Sequence, residues 1–142
     1  MIVSKTEIRV RYADTDKMQF VYNGKYLEYF EVGRTELLRN CGLPYSVVEK
    51  QGYQLPLIEA GLKYYKPAVY DDLLEIEAVV KDIFSAKLHI EYTIRKSGTD
   101  EIITQGFTTH MFIKVDTKKA VRPPQFYIEK LKPLFEKDSN LK

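Results

Sequence analysis

The spacing of hydrophobic residues predicts one long amphipathic helix in the first third of the chain. Between Gly24 and Cys41 apolar residues recur every three or four positions, with charged residues in the gaps. Asn23 is placed to cap the start of this helix with its side-chain oxygen, and Gly42 is placed to end it. At 1.5 Å per residue such a helix is about 27 Å long, which is close to the width of a small domain.

Alternating apolar and polar residues predict strands before and after this helix. The alternation has the period of two that is expected when one face of a sheet is buried. Short polar segments such as Ser97–Asp100 separate these patterns and are typical of hairpin loops, which require antiparallel pairing. The four clearest strands are predicted over residues 4–12, 74–80, 88–94 and 103–115.

Proline and glycine interrupt the remaining patterns. Residues 55–70 look extended, but two prolines and Gly61 lie within them, so a bent or bulged strand near a sheet edge is predicted. A short second helix is predicted over 44–51. A last helical pattern runs over 126–135, and Pro133 is expected to break or shorten it.

These elements together predict one domain, residues 1–142, of the α+β class. An antiparallel sheet with one apolar face would wrap around the long central helix. One helix covers one face of the sheet and leaves an edge open, which favours a dimer, with edge-to-edge strand pairing as one route. A chain of 142 residues is long enough to bury a core without disulfides or metals.

Composition and charge exclude several classes of function. With 44% hydrophobic residues, 30% charged residues and a formal net charge of +2, the chain is globular and has no basis for nucleic-acid binding. One cysteine and the distant His89 and His110 offer no metal-ligand spacing. The single thiol, Cys41, is typical of a small core residue and of a reducing compartment. No apolar run suits a leader or a membrane span, so we expect a cytoplasmic protein.

Candidate chemistry lies in the acidic turn just before the long helix. Asp14 and Asp16 precede a helix N-terminus, where free backbone amides and partial positive charge are expected. Spacing alone leaves their role open, because aspartates are also common in turns. Asp14 is interpreted as a hydrogen-bond acceptor that shapes the loop. Glu31 and Arg34 are expected to form an exposed pair on the helix, with Glu31 at a dimer interface as the alternative, and His110 is expected to be structural or interfacial.

The same turn is the first of seven short motifs along the chain. They are Asp14–Asp16, Val21–Tyr26, Glu31–Arg34, Leu55–Pro56, Tyr65–Asp72, Gly106–His110 and Arg122–Pro124. In this order they resemble the signature of hotdog-fold acyl-CoA thioesterases. The branch that they resemble most is the 4-hydroxybenzoyl-CoA thioesterase-like one, which includes the bacterial enzymes associated with the Tol-Pal system. The resemblance implies a hotdog fold, Asp16 as the catalytic carboxylate, and active sites at the interface of a homodimer or of a homotetramer built from dimers.

Two positions depart from the family pattern. Gln19 stands where glycine is usual, so either a positive φ there strains the backbone or the loop is remodelled. Asn23 stands where relatives often carry histidine or tyrosine, and its side-chain amide cannot act as an acid or a base. These departures keep a non-catalytic acyl-CoA binding protein open as an alternative.

The resemblance implies hydrolysis of acyl-CoA thioesters to a free acid and CoA. A thiolate leaves readily, since a thiol has a pKa of about 8.5, and a general acid adds little. The carboxylate of Asp16, ionised at neutral pH, could activate water as a general base or attack as a nucleophile. The amides of Asn23 and Gly24 could hold the oxyanion, where one donor is worth about 3 kcal/mol. In a dimer the donor could instead come from the partner's helix.

Further contacts with the substrate are expected from Tyr22, Tyr26 and Gln19. A basic cluster near the end of the last strand could meet the phosphates of CoA, with a solvated strand end as the simpler interpretation. That cluster consists of Lys118, Lys119 and Arg122. No metal or redox cofactor is expected, and CoA enters as part of the substrate. The rival enzymes are an acyl-carrier-protein thioesterase and a hotdog hydratase or dehydratase, which needs a histidine paired with a carboxylate.

Overall fold

One sheet of seven antiparallel strands packs against a long helix in the computed structural model, which describes residues 1–140. The predicted α+β class and hotdog fold are confirmed. The strands are β1 (Ile2–Arg9), β2 (Tyr53–Gln54), β3 (Leu57–Tyr64), β4 (Leu73–Val80), β5 (Lys87–Lys96), β6 (Ile102–Lys114) and β7 (Lys119–Val121). The helices are α1 (Lys25–Asn40), α2 (Tyr45–Lys50) and α3 (Gln125–Asn140).

Strand β3 forms an edge of the sheet. The main strand order is β1-β4-β5-β6, and β3 pairs with β6 and with no other strand of the described chain. Tyr64 lies opposite Thr104 and Leu57 lies opposite His110, with a shift of register between Leu57 and Glu59. The prediction of a bulged edge strand in this segment is therefore confirmed.

The core lies between α1 and the face of the sheet that it covers. The ring of Phe30 stacks on Tyr92 with centroids 4.3 Å apart. At Gly33 a Cβ would lie 2.8 Å from a methyl carbon of Ile76, so glycine permits the close approach of helix and sheet. Cys41 is buried, and burial raises the pKa of its thiol to about 11, which confirms it as a core residue.

The start of α1 differs from the prediction. The helix begins at Lys25 with Gly24 at the N-cap position, and no side chain makes a capping bond there. The prediction that Asn23 caps the helix is wrong, because the Lys25 amide donates to the Tyr22 carbonyl at 2.9 Å. A backbone turn thus closes the helix start.

Helix α3 differs from the prediction as well, since it continues through Pro133. The proline is exposed and removes one backbone donor, while the buried side chains of Tyr127 and Leu131 anchor the preceding turns in the core. The expectation that Pro133 breaks the helix is therefore wrong.

No helix of residues 1–140 is both long and apolar enough to cross a membrane.

Candidate active site

Asp16 sits at the base of a tight turn between β1 and α1. Its amide donates to the Phe20 carbonyl and its carbonyl accepts from the Gln19 amide, both at 2.9 Å. Its carboxylate Oδ1 accepts from the Met18 amide at 2.9 Å. Oδ2 has no hydrogen-bond donor among residues 1–140. The turn therefore fixes the carboxylate through one oxygen and leaves the other available.

Gln19 occupies the left-handed position of this turn, with φ of 67°. The family pattern has glycine at this point, and the positive φ explains that preference. Of the two alternatives at Gln19, the positive φ is the one that the structure shows.

Replacing Gln19 by glycine should raise the free energy of unfolding by about 1 kcal/mol, because glycine adopts positive φ without a Cβ clash. Urea denaturation measures the change. Lys17→Gly in the same turn is the matched control, since Lys17 does not have a positive φ and glycine there should only add chain entropy to the unfolded state. Equal effects of the two substitutions would contradict the interpretation.

Asp14 ties the same loop to α1. Only 2% of the residue is exposed, and its Oδ2 accepts from the Arg11 amide at 3.1 Å and from the Tyr29 hydroxyl at 2.9 Å. Its Oδ1 accepts from the Arg11 guanidinium at 3.0 Å and lies 3.7 Å from Lys25 Nζ. Burial alone would raise the pKa of Asp14, but these hydrogen bonds outweigh it and the pKa lies below its ordinary value. Asp14 is confirmed as a loop-shaping acceptor.

A pocket of about 380 Å³ opens beside Asp16. Three of the residues predicted for the site, Tyr22, Asn23 and Tyr26, line it together with Asp16. Gln19 does not line it. The remaining lining residues are Met18, Phe20, Val21, Tyr64, Tyr65, Lys66 and Pro67. The end of β3 and the start of α1 therefore enclose the carboxylate between them.

Two unengaged backbone donors lie at the start of α1: Asn23 lines this pocket, whereas the adjoining Gly24 is not among its lining residues. The amides of Asn23 and Gly24 donate to no described residue, whereas the Tyr22 amide is bonded to the Asp14 carbonyl at 2.9 Å. The Asn23 carbonyl accepts from the Tyr64 hydroxyl at 3.0 Å, which links β3 to the helix start. A helix N-terminus concentrates partial positive charge, so an anionic oxygen is favoured here.

The predicted phosphate-binding residues lie far from this pocket within one chain. Lys119 pairs with Lys114 at one end of β6, and Tyr64 of the pocket pairs with Thr104 near the other end. Ten residues of strand separate the two points, or roughly 33 Å. Lys118, Lys119 and Arg122 therefore do not join Asp16 in a single chain. The basic residue that lines the pocket is Lys66, whose Nζ lies 3.3 Å from Glu101.

The β3 side of the pocket was missed by sequence reasoning. Tyr64, Tyr65 and Lys66 are about fifty residues from Asp16 in sequence, and β3 brings them back to the helix start. The Tyr65–Asp72 motif was the available signal, because it is one of the segments that carry the family resemblance.

A second polar cluster lies in the core beneath α1. His110 Nδ1 is 3.2 Å from the Leu55 carbonyl, and its Nε2 is 2.9 Å from the Thr108 hydroxyl, which in turn contacts the Tyr92 hydroxyl at 2.7 Å. Both ring nitrogens are engaged, which confirms His110 as structural.

The expected pair of Glu31 and Arg34 is wrong, since the two form no ion pair in the described chain.

The pKa of His110 is lowered to about 4 from 6.5, first by burial and then by the nearby Arg34 charge. His110 of the unfolded chain therefore takes up a proton near pH 6.5, whereas His110 of the folded chain takes it up only near pH 4. We expect the free energy of unfolding to fall by up to about 3 kcal/mol as the pH drops across this window. Chemical denaturation at stepped pH measures the slope. His110→Gln should remove most of it, and the exposed His89→Gln should leave it unchanged; the opposite ranking would refute the assignment.

Comparison with known proteins gives a consistent picture. A family model described as "Thioesterase-like superfamily" matches residues 10–131. A Bacillus subtilis protein named putative acyl-CoA thioesterase YneP is 35% identical over 126 residues, covering 89% of this chain and 88% of that protein. A DHNA-CoA thioesterase structure from Staphylococcus aureus is 31% identical with a TM-score of 0.88, covering 100% of this chain and 97% of that one. The structure of a hypothetical protein, TT1821 from Thermus thermophilus, is 33% identical with a TM-score of 0.85, covering 92% and 98%.

Proposed function

The chain belongs to the thioesterase-like superfamily, and from this premise we propose that it hydrolyses acyl-CoA thioesters at the pocket that contains Asp16. One observation carries the proposal: a carboxylate with a free oxygen shares a pocket with Asn23, whose amide is unengaged and adjoins the equally unengaged amide of Gly24. A nucleophile or base together with oxyanion donors is what acyl transfer requires. The name of the Bacillus subtilis relative agrees with this reaction class.

The reaction begins with the thioester carbonyl between Asp16 and the start of α1. As a general base, Asp16 takes a proton from water while the water oxygen bonds to the carbonyl carbon. The amides of Asn23 and Gly24 donate to the oxygen that gains negative charge. The C–S bond then breaks, CoA leaves as a thiolate that is protonated, and the free acid remains. In the nucleophilic variant Asp16 forms a mixed anhydride that water hydrolyses.

A hydratase or dehydratase is disfavoured by the composition of the pocket. That chemistry uses a histidine paired with a carboxylate, and neither histidine of the chain lines the pocket. His110 uses both ring nitrogens within the core. Hydrolysis needs no such residue, because the thiolate leaves without a strong acid.

The free edge of β3 is the proposed dimer interface. Leu57, Ile58 and Tyr64 are each between 43% and 50% exposed along an edge that no described strand covers. Pairing β3 with the same strand of a second copy would continue the sheet and cover these side chains. We assign a homodimer on this basis, with a homotetramer of paired dimers as the larger alternative.

Antiparallel pairing of two β3 strands would also reposition the basic cluster. The Tyr64 end of one strand would face the Leu57 end of the other. The partner's Lys118, Lys119 and Arg122 would thus approach the Asp16 pocket and could bind CoA phosphates. This scheme uses no cofactor beyond the CoA of the substrate. We propose a cytoplasmic location, because a single free, buried thiol is typical of a reducing compartment.

The proposal is tested by following thiol release from a panel of CoA thioesters with the purified protein. The panel contains acetyl-, hexanoyl-, palmitoyl-, benzoyl- and DHNA-CoA, the last because the Staphylococcus aureus relative is named for it. Hexanoyl-CoA is compared with the hexanoyl thioesters of acyl carrier protein and of pantetheine, so that only the carrier of the acyl group differs. The expected result is turnover of at least one CoA thioester in preference to the carrier-protein thioester.

Other outcomes separate the rival functions. Faster release from acyl carrier protein would favour the carrier-protein thioesterase. Tight acyl-CoA binding without thiol release would favour a binding protein. Addition of water to an enoyl-CoA, without thiol release, would favour a hydratase.

A further inference from the structure

A second pocket, of about 280 Å³, lies between α1, α2 and the sheet. Four apolar side chains form its walls: Leu38, Leu55, Leu88 and Ile90. Arg34 reaches into it from α1, and Glu31, Thr35, Tyr45 and His110 complete the lining. We call it the Arg34 pocket.

Arg34 carries a charge that the described chain does not balance. Its Nη1 is shielded from solvent and has no hydrogen-bond partner, and no described carboxylate lies within ion-pair distance of the guanidinium. Its neighbours Tyr92 and His110 are buried, and His110 is neutral at pH 7. The Glu31 side chain is exposed and stays unpaired with Arg34. The Arg34 side chain interacts with the Tyr92 hydroxyl, but a shielded Nη1 without an acceptor is costly, so an acceptor from outside the chain would relieve it.

The shape of the pocket limits what that acceptor belongs to. At about 30 Å³ for each water-sized group, 280 Å³ holds roughly nine non-hydrogen atoms. The apolar walls suit a short carbon chain, and the guanidinium suits a carboxylate, which it can bind through two hydrogen bonds. A neutral hydroxyl would fill the space but leave the charge unbalanced.

The Arg34 pocket becomes part of the Asp16 site in the proposed dimer. Within one chain the two pockets open at different points of the fold: eight residues of helix, about 12 Å, separate Tyr26 from Arg34, and nine residues of extended chain, about 30 Å, separate Tyr64 from Leu55. Antiparallel pairing of two β3 strands would bring the Tyr64 end of one copy to the Leu57 end of the other. The Asp16 pocket of one subunit would then open toward the partner's Arg34 pocket.

We propose that the Arg34 pocket receives the far end of the acyl group and selects short acyl chains that end in a second carboxylate. This inference rests on the proposed hydrolysis and dimer. The thioester carbonyl lies at Asp16 of one subunit, and the terminal carboxylate accepts hydrogen bonds from the partner's Arg34. Arg34 is then a specificity-determining residue, and it takes no part in bond cleavage.

The first test compares glutaryl-CoA with pentanoyl-CoA, which differ by a carboxylate in place of a methyl group. We expect kcat/KM to favour glutaryl-CoA by at least about tenfold, since the uncharged analogue leaves Arg34 unpaired. Arg34→Gln should abolish the preference and Arg34→Lys should retain part of it. Arg39→Gln, an exposed arginine of the same helix paired with Glu36, is the matched control and should keep the preference. Preference for pentanoyl-CoA, or a preference that Arg34→Gln leaves intact, would overturn the proposal.

The second test asks whether the two residues act across subunits. Mixed dimers of an Asp16→Asn chain and an Arg34→Gln chain contain one site with both residues intact only if Asp16 works with the partner's Arg34. We expect these dimers to show about half of the wild-type glutaryl-CoA activity with the wild-type preference. Loss of the preference in the mixed dimers would overturn the shared pocket.

Failure of the proposed function is distinguishable from failure of this inference. If the wild type hydrolysed no CoA thioester, the hydrolysis proposal would fail. Calorimetry with glutarate would still test whether the Arg34 pocket binds a carboxylate. Glutarate binding that Arg34→Gln weakens at least tenfold would support anion recognition. Equal binding of glutarate by the wild type and Arg34→Gln would reject it.

Discussion

Asp16→Asn is expected to lower kcat for acyl-CoA hydrolysis by about 10³-fold with little change in KM. Asparagine keeps the oxygen that accepts from the Met18 amide, so the turn should persist. It cannot take a proton from water or attack as a carboxylate, and general-base catalysis is worth about 10²- to 10⁴-fold. Steady-state thiol release from the best CoA thioester of the panel measures the effect.

Asp82→Asn is the matched control, because Asp82 is exposed, accepts from the Phe84 amide two residues on as Asp16 does from Met18, and does not line the pocket. It should retain wild-type kcat. The thermal midpoint of both variants should stay near that of the wild type. A loss of activity shared by the two variants, or an active Asp16→Asn, would contradict the role of Asp16.

Asp14→Asn is expected to lower the free energy of unfolding by about 3 kcal/mol, because the buried carboxylate accepts from Arg11 and Tyr29. The NH₂ group of the asparagine side chain is a donor, and it would face the donors of Arg11 and Tyr29. The Asp16 turn should loosen as well, since the Asp14 carbonyl holds the Tyr22 amide of the same loop. Urea denaturation and kcat together measure the two effects.

The pH dependence of this loss identifies its cause. The pKa of Asp14 is lowered from 3.8 in the folded chain, so its contribution is fully present above that value and is lost as the pH falls through the folded pKa. The gap in stability between wild type and Asp14→Asn should therefore close in acid. Tyr29→Phe, which removes one hydrogen bond, should cost about 1 kcal/mol. A gap that persists at low pH would assign the loss to packing and not to charge.

The sequence predicted the elements of the fold more accurately than their ends. Hydrophobic residues recur every second position on the buried face of a strand and every 3.6 positions on that of a helix. These patterns placed α1 and the strands in the correct order. The errors at Asn23 and Pro133 concern single hydrogen bonds. At Asn23 a backbone turn replaces the side-chain cap, and at Pro133 packing of the preceding turns outweighs one lost donor.

The site was predictable only where it is local in sequence. Asp16, Tyr22, Asn23 and Tyr26 lie within eleven residues, and the fold gathers them in one pocket. Contacts from the end of β3 depend on strand pairing across about forty residues, which no local pattern encodes. Arg34 was misjudged for a similar reason, because its i, i+3 spacing to Glu31 suggests a surface pair while the sheet partly shields it.

The measurement that tests the central claim most directly is a single turnover with enzyme in excess over the best CoA thioester of the panel. Thiol release is followed in the wild type and in Asp16→Asn after calorimetry has established that both bind the thioester. We predict that both proteins bind this thioester and that only the wild type releases one equivalent of CoA in the first turnover. Release at the same rate by both proteins would contradict the assignment of the hydrolytic carboxylate to Asp16.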